Sequence, residues 1–384
     1  MGYTESEDLI TKINTNVFFK EFTFGKNEFY PSKSDKKELA DNVLWLDDLL
    51  FIIQIKERNT LKAKESTDKW FKNKVLKKAK NQIKASLNYL NKYDTIKITN
   101  GHNQKLDIAK VETKKIHKII IYKTSETLND NHKNTKFYIS QDIGNIHIFD
   151  ATDYYWICWY LHTPSELDEY LNFRLRLYQK HKNIIQVLPE QYILTHFLNT
   201  EDETYLDVRY IETLEKLDND RKSYDISWLI QNFKSTLIPN LQKSPLDYHS
   251  IIKEIAKLKR YELVEFKSRL VKAIKYVNED TFYPPLRYTS LRTKCGFVII
   301  PLLLEHSNSW KKALANFTAI YKYKRKLNKC LGVIILSDGA YFEIYWAYME
   351  EEWHFDSQLE DAVTREMEFY GKGTLKEIER YKFK

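Results

Sequence analysis

Long hydrophobic runs, paired cysteines and secretion signals are all missing from this chain. The longest apolar segments, LLFII and GFVIIPLLL, are too short to cross a bilayer, and the N-terminal MGYTESEDLI has no basic region followed by an apolar one. The three cysteines, Cys158, Cys295 and Cys330, are not spaced as a disulfide framework or a zinc site. We therefore expect a cytoplasmic protein that does not enter a membrane.

The common catalytic signatures are missing as well. The sequence has no G-x-G-x-x-G, P-loop, H-E-x-x-H or G-x-S-x-G pattern. The ten histidines are scattered, and we expect His117 and His147 to be packed or surface side chains rather than ligands. Aromatic residues crowd segments 153–162 and 340–355; they could stack bases, but their spacing favours a core or an interface.

Length and charge set the broad class. A chain of 384 residues exceeds the usual size of a single core, so two domains are expected. The formal net charge of +8 favours an anionic partner such as nucleic acid, although a solvated basic surface is the commoner explanation.

Hydrophobic periodicity predicts a mixed α/β protein. A short helix is expected at 34–41, strands at 42–46 and 49–56, a helix at 68–91, and a proline-started helix from Thr163 to about 181. Further predicted elements are strands at 115–122, 137–140 and 146–149, a mostly helical region from 185 to 290, a strand at 296–303, a helix at 308–327, a strand at 331–336 and a hairpin turn at Asp338-Gly339. The predicted fold is α/β (α+β). A mixed sheet flanked by helices occupies domain 1–185, and a helical region with a second small α/β unit occupies domain 186–384.

Polar residues end the most apolar predicted hairpin. If residues 47–48 form its turn, Asp41 lies opposite Gln54, and Lys56 projects from the same face two residues further on. Glu38 enters from the preceding turn or helix. A carboxylate, an amide oxygen and an ammonium group therefore converge at one end of a buried hairpin.

Two explanations fit this convergence. A buried polar group needs a partner, so Lys56 could simply form a structural ion pair with Asp41 or Glu38. Alternatively, carboxylate and amide oxygens suit Mg²⁺ or Mn²⁺, which can activate water against a phosphodiester while the lysine offsets the developing charge.

The pattern Glu38…Asp41, twelve residues, then Gln54-Ile55-Lys56 resembles the PD-(D/E)xK restriction-endonuclease-like superfamily, in particular its Mrr-type QxK variants. The resemblance covers about residues 30–150, and residues 34–122 are expected to form the family's α-β-β-α-β core. It implies that Asp41 binds the metal with Gln54 beside it. Lys56 would assist the nucleophile, and Glu38, on the preceding helix, would support the metal site. Alanine replaces the name-giving proline, and Gln54 brings no charge.

The predicted helix after the hairpin is rich in lysine. Lys74, Lys77, Lys78 and Lys84 lie on its polar side and could contact a nucleic-acid backbone, although such faces are usually only solvated. Gln82 borders the apolar stripe and could point towards the active site or be an ordinary flanking residue.

These features together predict a Mg²⁺- or Mn²⁺-dependent endonuclease that acts on DNA ahead of RNA, in bacterial restriction or antiviral defence. The C-terminal half is expected to recognise substrate, form a homodimer or bind a protein partner. The alternative is a catalytically silent module that keeps the fold and binds nucleic acid or protein.

Overall fold

The computed structural model describes residues 4–59, 61, 63–110, 115–233, 246, 248–337, 341–370, 377–378 and 380. The chain divides into two compact units, Met1–Asn219 and Asp220–Lys384. Both units are mixed α/β, as predicted. Among the residues just given, no helix is both long enough and apolar enough to span a membrane.

A mixed sheet forms the centre of the first unit. Its strands, with a small separate β2–β3 hairpin, are β1 (Thr23–Lys26), β2 (Glu28–Ser32), β3 (Asp35–Glu38), β4 (Asn42–Leu46), β5 (Leu49–Glu57), β6 (Lys97–Asn100), β7 (Lys105–Asp107), β8 (Lys115–Lys123), β9 (Phe137–Ser140) and β10 (Gly144–Asp150). Over the part of the unit that the structure describes, eight of them follow the order β7-β6-β1-β4-β5-β8-β10-β9. β8 is parallel to both β5 and β10, whereas the other neighbours are antiparallel.

Helices cover both faces of this sheet. They are α1 (Glu5–Val17), α2 (Thr67–Trp70), a π-helical segment (Phe71–Lys78), α3 (Ala79–Lys92), α4 (Asp130–Lys133), α5 (Ala151–Tyr160), α6 (Pro164–Lys180), α7 (Lys182–Val187) and α8 (Glu190–Asn199). Helix α9 (Leu214–Tyr224) begins in the first unit, and the division between the units falls within it. The continuous helical stretch 67–92 is called the lysine helix below. It packs on one face of the sheet, and α1, α5, α6 and α8 pack on the other.

The β4–β5 hairpin has the predicted register. Leu46 pairs with Leu49, and Leu44 pairs with Phe51. Leu50 and Ile52 of β5 face the lysine helix, whereas the residues that alternate with them enter the opposite core. Because side chains alternate along a strand, Gln54 and Lys56 lie on the lysine-helix face.

The helix predicted at 34–41 is wrong, because residues 35–38 form strand β3. β3 pairs with β2, and Lys36 forms an ion pair of 2.6 Å with Glu28 across the hairpin. The segment offers no apolar helical face, so cross-strand charge pairing decides its conformation.

The first unit continues past the predicted boundary at 185/186 to Asn219. Ile185 of α7 and Ile193, Leu194 and Phe197 of α8 are buried in the same core as the sheet. Helices that follow the predicted boundary therefore complete the first unit rather than begin the second.

The second unit has its own mixed sheet. Its described elements are α10 (Ser227–Asn232), α11 (His249–Ala256), α12 (Arg260–Asn278), β11 (Leu286–Ser290), β12 (Cys295–Leu302), α13 (Trp310–Lys324), β13 (Lys329–Ser337), β14 (Phe342–Glu350) and α14 (Ser357–Tyr370). The strand order is β11-β12-β13-β14, with β12 and β13 parallel. The strands and helix predicted here are confirmed, while the predicted turn at Asp338-Gly339 lies outside the described residues. Residues 342–350 of the aromatic segment 340–355 form β14, and most of their side chains are half-buried or exposed.

Candidate active site

Asp41, Gln54 and Lys56 meet where β4 begins. Asp41 immediately precedes β4, and its Oδ2 accepts a hydrogen bond of 2.6 Å from the backbone N–H of Ile55. The same oxygen accepts a bond of 2.8 Å from Nζ of Lys56, which also donates to Oε1 of Gln54 at 3.3 Å and to the Ile55 carbonyl at 2.8 Å. The hairpin therefore holds the three polar side chains in one cluster.

Burial makes this cluster energetically demanding. Gln54 is 1% exposed and Asp41 is 7% exposed, while the Lys56 side chain is 12% exposed. Desolvated polar groups cost free energy unless they are paired, and here each one has a partner. No hydrogen bond to Asp41 Oδ1 or from Gln54 Nε2 is found among the residues that the structure describes, so one carboxylate oxygen remains available to a further ligand.

Glu38 lies close enough to interact electrostatically with this cluster, but from an unexpected element. It ends β3 and not a helix, and much of its side chain is exposed. Partial burial of its carboxyl, followed by the negative charge of Asp41, raises the pKa of Glu38, while Lys56 opposes the shift. The local field at Glu38 is therefore negative.

Helix α1 brings a further acid that the sequence analysis did not single out. Glu7 also raises the pKa of Glu38, so its charge reaches the same region. Its position is fixed by a capping box, in which the Thr4 side chain accepts from the Glu7 N–H and the Glu7 carboxylate accepts from the Thr4 N–H. The T-x-x-E pattern at Thr4–Glu7 was the available signal for this helix.

The lysine helix has two different sides. Trp70, Phe71 and Val75 are buried against the face of the sheet that carries Lys56, whereas Lys74, Lys77 and Lys78 are exposed. These three lysines form no ion pair with any described residue. Lys84 differs, because its Nζ lies 2.8 Å from Oδ2 of Asp142 and thereby lowers the pKa of that acid.

Gln82 lies on the inner edge of the lysine helix. Its Oε1 is buried and has no hydrogen-bond partner in the described part of the chain. One turn further along, Ser86 donates to the carbonyl of Leu39, which connects this part of the helix to the segment before Asp41. An unsatisfied buried amide oxygen is unusual, because most such groups are paired.

The donor set suits a hard cation in type but is sparse. Asp41 and Glu38 supply carboxylates and Gln54 supplies an amide oxygen, which are ligands that Mg²⁺ and Mn²⁺ accept. Within the described residues, no three His, Cys, Asp or Glu side chains come together as a metal site. A cation bound at Asp41 would therefore retain several waters, as Mg²⁺ commonly does.

Comparisons of the chain with protein-family models, with curated proteins and with solved structures find no match.

Proposed function

We propose that this protein is a metal-dependent nuclease of the PD-(D/E)xK restriction-endonuclease-like type, which cleaves phosphodiester bonds in DNA and, as the second choice, RNA. The observation that carries the proposal is the cluster in which Asp41 Oδ2 contacts Lys56 Nζ at 2.8 Å, with Gln54 beside them and Oδ1 of Asp41 available. Buried acids beside a lysine are typical of sites that act on phosphate esters.

The order of elements supports the same fold assignment. With the intervening strands β1–β3, β6 and β7 left out, helix α1, the β4–β5 hairpin, the lysine helix and β8 follow the α-β-β-α-β order that the resemblance implies. The helix nearest before the hairpin in the chain is α1, which is separated from β4 by strands β1–β3; it carries Glu7, and the resemblance calls for an acid on such a helix. Glu38 would then assist from β3.

The roles of the residues follow from their contacts. Asp41, with Gln54 and Glu38, would hold the cation, which when bound supplies a positive charge and activates water near the phosphate. Lys56 is positioned by Asp41, Gln54 Oε1 and the Ile55 carbonyl, so its ammonium group can balance negative charge that develops on the phosphate. Lys74, Lys77 and Lys78 would contact backbone phosphates, and Gln82 would approach the site from the helix.

A catalytically silent module that binds nucleic acid or protein is the second candidate. It is favoured by the closed Asp41–Lys56 pair, which a purely structural role would also produce. Bacterial restriction or antiviral defence is the setting proposed for the nuclease.

The deciding experiment is a cleavage assay with supercoiled plasmid, linear duplex and single-stranded RNA in Mg²⁺, Mn²⁺ and EDTA. We expect cleavage by the parent that requires the metal and is lost in Lys56→Gln. Lys92→Gln, a change at the last residue of α3, is the matched control and should cut as the parent does. Metal-dependent cleavage that survives in Lys56→Gln would reject the assigned site, and a parent that binds without cutting would favour the silent module.

A further inference from the structure

A cavity of about 290 Å³ opens in the first unit between the start of β8, β10 and α6. His117 lies beside Phe51 in the β5–β8 pairing, and Tyr122 lies beside Lys56. His117 and Tyr122 are five residues apart on β8, which corresponds to about 16 Å along the strand. His117 also stacks on Phe51, on the face of the sheet opposite to Lys56. The cavity is therefore separate from the candidate active site.

Arg174 orients the imidazole of His147, one of the two histidines that line the cavity. The Arg174 guanidinium is fully buried, is bound by both carboxylate oxygens of Glu190, and lies 3.3 Å from Nδ1 of His147. Burial, and secondly the charge of Arg174, lower the pKa of His147 well below its usual value. The ring is therefore neutral, with Nδ1 accepting from Arg174 and the proton on Nε2. Nε2 has no partner among the described residues, so it can donate into the cavity.

Asp168 orients the imidazole of His117, the other histidine in the lining. Its Oδ1 lies 2.7 Å from Nε2 of His117 and also accepts a bond of 2.8 Å from the Asn172 amide. Burial alone would raise the pKa of Asp168, but the His117 bond and the charges of His117 and Lys115 lower it. The ionised carboxylate orients the His117 ring. Nδ1 of His117 has no partner in the described part of the chain.

Charge and donors favour one class of ligand. The lining holds Lys115, whose Nζ lies 3.6 Å from Oδ2 of Asp168, the single carboxylate of the lining, and Lys118, whose Nζ donates to the Ile143 carbonyl at 2.6 Å. Amides of Asn145 and Asn172 add further donors. Each imidazole also has one ring nitrogen without a hydrogen-bond partner among the described residues, Nδ1 in His117 and Nε2 in His147.

We propose that this cavity, lined by His117, His147 and Lys115, binds the oxyanion group of a small molecule, a phosphate or a carboxylate. Hydrogen bonds from charged donors to an oxyanion are the strong ones. The volume exceeds that of the anion alone, so the two asparagine amides would contact the body of a ligand no larger than a mononucleotide.

Isothermal titration of the full chain tests this proposal. The probes are inorganic phosphate, the four 5′-ribonucleoside monophosphates and citrate, in EDTA with about 0.15 M NaCl to screen weak surface binding. At least one probe should bind the parent. Nucleotides that bind more tightly than inorganic phosphate would identify a phosphate carried on a larger body, and citrate binding alone would identify carboxylate as the source.

Variants locate the binding. Lys115→Gln, at a side chain that is 58% exposed, should fold normally and weaken binding about tenfold, as loss of one charge-assisted bond does. His117→Gln should weaken it further. Lys123→Gln is the matched control at the other end of the same strand, where the side chain is 44% exposed. Lys56→Gln should bind as the parent does, which keeps this test independent of the proposed nuclease.

Two results would overturn the proposal. One is that no probe binds the parent at up to about 10 mM, which corresponds to a binding free energy weaker than about 3 kcal/mol. The other is binding that is equally strong in Lys115→Gln and His117→Gln, since the anion would then lie elsewhere. If His117→Gln does not fold, Lys115→Gln alone decides between the cavity and another location.

Discussion

Replacing Asp41 by asparagine or by alanine separates its role in the fold from its proposed role in catalysis. Asp41 Oδ2 receives two hydrogen bonds, one from the buried Ile55 N–H and one from Lys56. Asparagine keeps an acceptor for the N–H but removes the charge, whereas alanine removes both. Both variants should therefore lose metal-dependent cleavage, while their stabilities should differ.

The structure gives the expected size of that difference. At 2.8 Å, the Asp41–Lys56 attraction is about 6 kcal/mol for an effective dielectric constant of about 20, before desolvation is subtracted. Lys56 keeps Gln54 Oε1 and the Ile55 carbonyl as acceptors, so the net loss should be lower. We expect Asp41→Ala to lower the free energy of unfolding of the first unit by about 3 kcal/mol. Asp41→Asn should be about 1–2 kcal/mol less destabilising, because the Ile55 N–H stays paired.

Urea denaturation measures the stabilities, and hydrogen exchange of the β5 peptide measures protection of the Ile55 amide directly. Because the chain has two units, the transition of the first unit must be followed separately. Equal stability and equal amide protection in the two variants would refute the structural part of the reasoning. Metal-dependent cleavage that persists in Asp41→Asn would refute the catalytic part.

Three further outcomes are expected. Gln54→Glu should tighten Mg²⁺ binding in calorimetry, because a carboxylate replaces a neutral oxygen beside Asp41; an unchanged metal affinity would place Gln54 outside the metal's ligands. The pKa of the Glu38 carboxyl is 4.5 in the unfolded chain and higher in the folded protein. The ionisation of Glu38 therefore lowers the free energy of unfolding as the pH rises from 4.5 through the folded pKa. Glu38→Gln should therefore stabilise the protein at neutral pH but not below pH 4.5, and an unchanged stability profile would contradict the shift. Replacing Lys74, Lys77 and Lys78 by glutamine should flatten the slope of log K against log salt for duplex binding by about 0.9 per lost phosphate contact. The control Lys84→Gln, which breaks the pair with Asp142, should change this slope less. Equal slopes in the parent and the triple variant would mean that these lysines are only solvated surface.

The sequence was sufficient for the elements whose apolar pattern matches their period. A two-residue turn between two apolar runs predicted the β4–β5 register to the residue, and a threonine cap followed by proline predicted the start of α6. The lysine helix also appeared at nearly the predicted bounds, since its buried residues keep the helical repeat. These are cases in which local propensity and tertiary burial agree.

Elements with a weak apolar pattern were missed. Strands β1, β6 and β7 are only three or four residues long, so their pairing depends on distant partners rather than on alternation. Helix α1 buries only Ser6, Ile10 and Asn14, two of which are polar, so its core-facing side does not look hydrophobic in the sequence. Only its capping box distinguishes it.

The cavity near His117 shows a different limit. Its key contact joins His117 to Asp168, which is 51 residues away on α6, and His147 is paired with Arg174, which is also on α6. Scattered histidines carry no local pattern, so packed or surface positions were the reasonable expectation for both. Only the tertiary fold shows which ring nitrogens have partners.

The balance of charge at the β4–β5 hairpin separates the two explanations of its polar cluster better than the ion pair does. A purely structural pair would need one acid for Lys56, and Asp41 meets that need through Oδ2 alone. Glu38 and Glu7 nevertheless add negative charge to the same region, where partial burial, and after it the charges of Asp41 and Glu7, raise the pKa of Glu38. Accumulated like charge destabilises a fold unless a cation offsets it, and it is a common property of sites that bind one. The excess acid, with Oδ1 of Asp41 available, therefore favours a cation site over a structural ion pair.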